Sequence, residues 1–154
     1  MIQAKIKCTN VFHKAYRSTT RITCLQGGTR SSKTYSLCQL FIVKCLEETG
    51  KVFTICRKTL PALKGTAYRD VLELLKELGL YTEENHNKSE LSYTLNGNLI
   101  EFISVDQPQK IRGRKRDYLW LNEANEFTYE DYQQLILRTT DKVYLDYNPS
   151  DPYS

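Results

Sequence analysis

The stretch Gly27-Gly28-Thr29-Arg30-Ser31-Ser32-Lys33-Thr34 constrains this chain more than any other. It follows a short apolar run (Ile22, Cys24, Leu25) and opens a helical pattern. A strand that turns through glycines straight into a helix aims several backbone N–H groups and the positive end of a helix at one point, which suits an anion. The pattern Gly-x-x-x-x-Gly-Lys-Ser/Thr is met except at Ser32, which stands in place of the second glycine. In such a loop Gly28, Thr29, Arg30, Ser31 and Ser32 surround phosphate oxygens. Lys33 reaches the β- and γ-phosphates of a nucleotide, and Thr34 ligands Mg²⁺.

A length of 154 residues is enough for one domain with a sizeable core, assigned here to residues 1–154. A hydrophobic content of 40% with 26% charged residues excludes a disordered chain. The net charge of +4 is mild but uneven. Lys110, Arg112, Arg114, Lys115 and Arg116 crowd one segment, and Lys5, Lys7, Lys14, Arg17 and Arg21 crowd the N-terminus. Such clusters suit a polyanion, either nucleotide phosphate or nucleic acid, and equally suit a solvated loop. Five cysteines (Cys8, Cys24, Cys38, Cys45, Cys56) lack metal-ligand spacing and fall in predicted core elements, which points to reduced structural thiols. No apolar stretch is long enough to span a membrane, so no membrane role is expected.

Along the chain, a buried strand near 21–26 feeds the phosphate loop. The apolar stripe Cys38, Phe41, Ile42, Cys45 and Leu46 predicts a helix from Lys33 to Thr49, stopped at Gly50. Val52–Cys56 reads as a second strand, followed by a loop broken by Pro61 and Gly65. Val71, Leu74, Leu75 and Leu78 predict a helix over Ala67–Leu78. Leu91–Leu95 and Leu99–Ile103 flank Asn96-Gly97, a hairpin signal. A basic loop with Pro108 leads to the apolar run Tyr118–Leu121. Thr128 caps a third helix with Glu130 and Asp131 in its first turn and Tyr132, Leu135 and Ile136 facing inward. A last strand, Val143–Tyr147, ends at Asn148-Pro149. Strands alternating with helices predict an α/β fold with a parallel sheet covered on both faces, plus an antiparallel hairpin addition. Ligands bind such sheets at the carboxyl ends of the strands, where the phosphate loop, Asn122-Glu123 and Asn148 all fall.

Leu119-Trp120-Leu121-Asn122-Glu123 is an apolar strand ending in polar residues. Nucleotide hydrolysis needs a carboxylate to orient a water opposite the leaving diphosphate, and Glu123 is placed for it. The residue before it normally supplies an aspartate to the Mg²⁺ site. Asn122 offers a carbonyl oxygen there without charge. Solvent-facing polar residues at a strand end are the competing interpretation. Asn148, stiffened by Pro149, is positioned to sense a γ-phosphate. Arg30, Arg57 and Arg112 are all candidates for neutralising charge on a transferring phosphoryl group, and spacing does not rank them.

Five motifs in order, Gly27–Thr34, Cys56-Arg57-Lys58-Thr59, Ile111-Arg112-Gly113-Arg114, Trp120–Glu126 and Leu145-Asp146-Tyr147-Asn148-Pro149, resemble the N-terminal ATPase domain of the large terminase subunit of tailed bacteriophages. The resemblance runs from about Asn10 to the end. It implies a P-loop NTPase three-layer sandwich that binds ATP and Mg²⁺ and hydrolyses ATP to drive double-stranded DNA into a prohead. It implies Lys33 and Thr34 as phosphate and Mg²⁺ ligands and Glu123 as catalytic carboxylate. Arg30 is similar to a finger acting in cis, Arg112 to one acting in trans between ring subunits, and Asn148 to a coupling motif. Asn10, Phe12 and Tyr16 fall where the family contacts adenine. The implied partners are viral DNA, the portal protein, the small terminase subunit and further copies in a ring, at the portal vertex in the host cytoplasm. Family members also carry a C-terminal nuclease domain with an RNase H-like fold. No acidic cluster here suits that chemistry, so no DNA cleavage is expected from this chain, as from a fragment, a split gene product or an isolated domain. Ser32 and Asn122 depart from the family pattern. They keep open a rival from a different class, a module that binds nucleotide or DNA without turnover. Helicase motifs between the two nucleotide motifs are absent.

Overall fold

A computed structural model describes residue 16 and residues 21–25, 30–113 and 115–147, with only the backbone described at positions 30–32. Strand β1 (Ile22–Leu25) precedes helix α1 (Arg30–Glu47), which begins three residues earlier than the periodicity predicts and takes Arg30, Ser31 and Ser32 into its first turn. Strand β2 (Val52–Arg57) follows. The next segment corrects the sequence expectation. Positions 60–77 form one helical run, α2 (Leu60–Leu63), a π-helical turn (Lys64–Tyr68) and α3 (Arg69–Glu77), where Pro61 and Gly65 predict a loop. Pro61 sits in the first turn, where its missing N–H has no intrahelical partner to lose, and Thr59 caps that turn by accepting from the Ala62 N–H. Gly65 falls in the π turn.

Strands β3 (His86–Asn87), β4 (Ser92–Leu95) and β5 (Asn98–Ser104) form the predicted hairpin, extended by a two-residue strand that periodicity is too short to reveal. Pro108 again opens a helix, the short α4 (Pro108–Ile111), where the sequence suggests a loop. Strand β6 (Arg116–Leu121), helix α5 (Tyr129–Leu137) and strand β7 (Thr139–Asp146) complete the described chain. Thr128 forms a full capping box with Asp131 at the start of α5.

The described strands make one seven-stranded sheet in the order β1-β7-β6-β2-β5-β4-β3. The first five in that order run parallel, and the hairpin joins antiparallel through β4 and β3. Because successive strand residues point to opposite faces, the alternation of each strand fills two cores. Phe53, Ile55, Trp120 and Tyr144 pack under α1 and α3, with Phe41 edge-on to Phe53, Trp120 and Tyr144. Cys56, Leu119, Leu121, Val143 and Leu145 pack with Ile111 and Leu135 from α4 and α5 on the other face. This is the expected three-layer α/β sandwich. Among the described residues no helix is long and apolar enough to cross a membrane. Cys38, Cys45 and Cys56 are buried free thiols whose pKa burial pushes up, while Cys24 is exposed.

Candidate functional site

The strand order brings the carboxyl ends of β1, β7 and β6 side by side, with Leu25 opposite Asp146 and Leu121 opposite Leu145. Lys33, in the first turn of α1, is 2% exposed, and its Nζ donates to the carbonyl oxygen of Tyr147 just past β7. The Tyr147 N–H in turn donates to Leu25 O at 3.2 Å. Residue 146 is therefore held under the start of α1.

At the end of β6 the chain adopts an unfavourable conformation. Glu123 has a left-handed backbone, φ 56° and ψ 61°, which costs a non-glycine residue about 1–3 kcal/mol. Two bonds fix it there: the Glu123 N–H donates to Asp146 Oδ1 at 3.0 Å, and Glu123 O accepts from the Glu126 N–H at 3.0 Å. Asp146 is a buried carboxylate that also accepts from Trp120 Nε1 at 2.5 Å and from Asn122 Nδ2 at 3.1 and 3.3 Å. The Asn122 carbonyl faces the Thr66 hydroxyl at 3.3 Å, but that hydroxyl donates more closely to Ala62 O at 2.7 Å. Asn122 Oδ1 thus keeps acceptor capacity.

Thr34, Thr66, Asn122 and Glu123, with Arg57, Arg69 and Asp70, enclose a cavity of about 310 Å³. Arg57 ends β2 and is buried. Its Nε and Nη2 each meet a Glu126 carboxylate oxygen at 3.2 Å, and its Nη1 donates to Thr66 Oγ1 at 2.9 Å. Thr66 lies in the π turn, and such turns recur at functional sites because they re-aim one side chain. The cavity lining therefore carries both signs of charge, Arg57 and Arg69 with Asp70 and Glu123, and Arg69 pairs with Asp70 at 3.2 Å.

The structure brings Thr34, Asn122 and Glu123 to one cavity, with Lys33, the residue before Thr34, bonded just past β7. Gly28, Thr29 and Asn148 lie outside the described residues, as do the side chains of Arg30, Ser31 and Ser32. Arg112 is exposed and lines a separate cavity of about 220 Å³ beside Glu130 and Asp131, on the α4–α5 side of the sheet. Arg116 corrects the basic-cluster expectation. It is 1% exposed, with its guanidinium donating to Leu135 O at 3.3 Å and Ile111 O at 3.4 Å, so it ties α4 to α5 and faces no polyanion. Burial lowers its pKa. Tyr16 bonds Glu47 Oε2 at 2.6 Å, near the far end of α1. Glu47 lies fourteen positions beyond Lys33, roughly 20 Å at the rise of an α-helix, so Tyr16 is not at the phosphate end. Asn10 and Phe12 lie outside the described residues.

Sequence reasoning assigns no role to Thr66, Arg69 and Asp70, nor to Asp146 beyond its place in the last motif. Asp146 had a signal, a lone acidic residue closing the apolar strand that begins at Val143. Thr66 had none, because its place depends on the helical run through Gly65.

A Mg²⁺ ion would fit the donors present. It takes hard oxygen ligands and keeps several waters, relying on few protein groups plus substrate phosphates. Thr34, the Asn122 carbonyl and the carboxylate of Glu123, all lining the cavity, are oxygen donors of that kind. Among the described residues no three His, Cys, Asp or Glu side chains form a metal-binding group, so no all-protein cage competes with that arrangement.

A family model described as phage terminase large subunit matches residues 19–154. Among curated proteins no sequence matches this chain. Solved structures with the same fold include the large terminase of a thermophilic bacteriophage, with a TM-score of 0.77 at 16% identity over 94% of this chain and 40% of that one. The same protein in complex with ADP aligns with a TM-score of 0.62 at 16% identity over 92% of this chain and 38% of that one. The ATPase domain of a Thermus phage large terminase aligns with a TM-score of 0.70 at 15% identity over 92% of this chain and 64% of that one. The chain thus spans about two fifths of the thermophilic-phage protein.

Proposed function

The chain belongs to the phage terminase large subunit family, and we propose accordingly that residues 1–154 are the ATP-hydrolysing module of a motor that drives double-stranded viral DNA into a prohead. The observation that carries this reading is that Thr34 and Glu123, far apart in sequence, line one cavity, while Lys33, the residue before Thr34, bonds the chain just past the adjoining strand β7. Relatives of the same fold crystallised with ADP and with ATP-γ-S support a nucleotide as the ligand.

In this reading the terminal phosphates lie against the start of α1, among the backbone N–H groups from Gly28 to Ser32, and Lys33 exchanges the Tyr147 carbonyl for phosphate oxygen. Thr34 and Asn122 would hold a hydrated Mg²⁺, which when bound would supply charge neutralisation on the phosphates. Glu123 accepts a hydrogen bond from the attacking water and orients it in line with the bond that breaks. Arg30 acts on its own nucleotide, and Arg112, exposed on the other side of the sheet, acts on a neighbour's in a ring. Asn148 follows the carbonyl that Lys33 releases and so couples nucleotide state to movement. The portal protein and the small terminase subunit are the assembly partners, at the portal vertex in the host cytoplasm.

Phosphate release from purified protein tests the reading. Release is expected to require Mg²⁺, to be slow without neighbouring copies, and to vanish in Lys33→Ala. Glu123→Gln is expected to bind ATP without hydrolysing it, and retained hydrolysis in that variant removes the catalytic assignment. The uncharged Asn122 favours a second reading, a module that binds nucleotide without turnover. Tight ATP binding with no release even at high protein concentration would select it.

A further inference from the structure

The carboxylate that a phosphate-loop site ordinarily carries before its catalytic glutamate is missing at Asn122, yet a buried carboxylate stands one strand away. β6 and β7 run parallel with Leu121 opposite Leu145, so Asn122 and Asp146 are the next residues along each strand. They share the face under α1 with Trp120 and Tyr144. Asn122 Nδ2 donates to both oxygens of Asp146, at 3.3 and 3.1 Å. The same bond would exist with the two residue types exchanged, and only the position of the charge would change.

Asp146 is only 1% exposed, and among the described residues it makes no ion pair. A buried carboxylate without a cation persists only if hydrogen bonds satisfy it, and here the donors are Trp120 Nε1, Asn122 Nδ2 and the Glu123 N–H. Two of these donors belong to the site itself. Removing the charge would loosen the left-handed backbone of Glu123 and free the Asn122 amide to turn.

We propose that Asp146 is the positioning residue of this site, carrying on β7 the buried negative charge that Asn122 lacks on β6, and holding Glu123 and Asn122 with their oxygens toward the Mg²⁺ hydration shell and the attacking water. This rests on the nucleotide reading above. A group that orients oxygen donors without touching the ion typically changes metal affinity by roughly tenfold to a hundredfold when removed.

The test is a four-protein cycle: the natural chain, Asp146→Asn, Asn122→Asp, and the exchanged pair Asn122→Asp/Asp146→Asn. Binding of a fluorescent, non-hydrolysable ATP analogue is titrated with Mg²⁺ and again in chelator, below each protein's unfolding midpoint. Asp146→Asn is expected to lose roughly tenfold or more of the Mg²⁺-dependent gain in affinity, with little change in chelator. Asn122→Asp sets two carboxylates in contact and is expected to lose it as well. The exchanged pair restores one charge and one amide, and is expected to recover toward the natural value. A purely structural Asp146 would lower the unfolding midpoint while leaving the Mg²⁺ dependence intact, and that result overturns the proposal. An exchanged pair no better than Asp146→Asn also overturns it. A natural chain with no Mg²⁺-dependent binding at all overturns the nucleotide reading and this proposal together, and is told apart by the unsubstituted protein alone.

Discussion

Asn96 and Glu123 hold almost the same backbone conformation, with φ 53° and φ 56°, at opposite extremes of suitability. Asparagine tolerates the left-handed region, and Asn96-Gly97 is the dipeptide that a two-residue hairpin turn requires. The Asn96 amide also donates to Cys45 O, Leu46 O and Glu48 O, the orphan carbonyls at the end of α1. Neighbouring Asn98 is fully buried and donates to Cys45 O, Glu48 O and Leu95 O while accepting from the Lys51 N–H. At that edge the two asparagine amides meet neutral partners, and the network fixes the hairpin to the helix. The edge at Glu123 is built differently. Among the described residues, a residue ill suited to its backbone is pinned by a carboxylate that makes no ion pair, and a buried lysine meets a carbonyl where an anion would suit it better. Polar groups that satisfy one another specify structure. A strained residue held in place by its surroundings is the pattern that clusters at functional sites.

The largest disturbance of this contrast is expected at Glu123. Glu123→Gln should lower phosphate release roughly 10²–10⁴-fold, the range for a positioned general base, while circular dichroism stays unchanged. Asn98→Ala is the opposite case. It removes the bonds to Cys45 O, Glu48 O and Leu95 O and from the Lys51 N–H, of which Cys45 O and Glu48 O keep the Asn96 amide, and is expected to cost about 2–3 kcal/mol in denaturant unfolding, with ATP affinity unaffected. Glycine substitutions separate the two edges further. In Glu123→Gly, relief of left-handed strain is expected to add about 1 kcal/mol of stability as activity disappears, whereas Asn96→Gly, which removes its carbonyl contacts as well, is expected to gain nothing.

The smallest effect belongs to pH. His86 meets Tyr68 Oη through Nε2 and Tyr81 Oη through Nδ1, both at 2.7 Å, a pairing that suits a neutral imidazole with one donor and one acceptor nitrogen. Burial, with Lys88 and Lys76, lowers its pKa against the pull of Glu83. The unfolded chain then binds the proton more readily, so this contribution is complete above the ordinary histidine value of about 6.5 and is lost as pH falls through the lowered folded value. Unfolding followed between about pH 7 and pH 5 should show that slope, and His86→Gln should flatten it without altering phosphate release.

Much of this was legible beforehand where a local rule and the global fold agree. Asn96-Gly97, the stripe from Cys38 to Leu46 and the Thr128–Asp131 box each carry their own geometry, so the hairpin, α5 and the body of α1 fall where expected, with the α1 start three residues earlier. The loop expected around Pro61 and Gly65 failed because proline is tolerated in a first helical turn, and its position within the helix was not visible from the residue alone. That Lys33, Thr34 and Glu123 lie at the carboxyl ends of strands was legible because the apolar runs before them mark those ends. Arg116 misled because its charge reads as surface until α4 and α5 close over it.

Short-range spacing along the chain was enough to specify most of the alternation of strands and helices and the polar strand ends. It could not specify that β7 lies between β1 and β6, because strand order depends on how helices cross the sheet and periodicity carries no record of that. Folding the whole chain supplies this order and sets Asp146 beneath Glu123 and Asn122. An acidic residue that looks incidental in the linear chain thereby gains its position in the site.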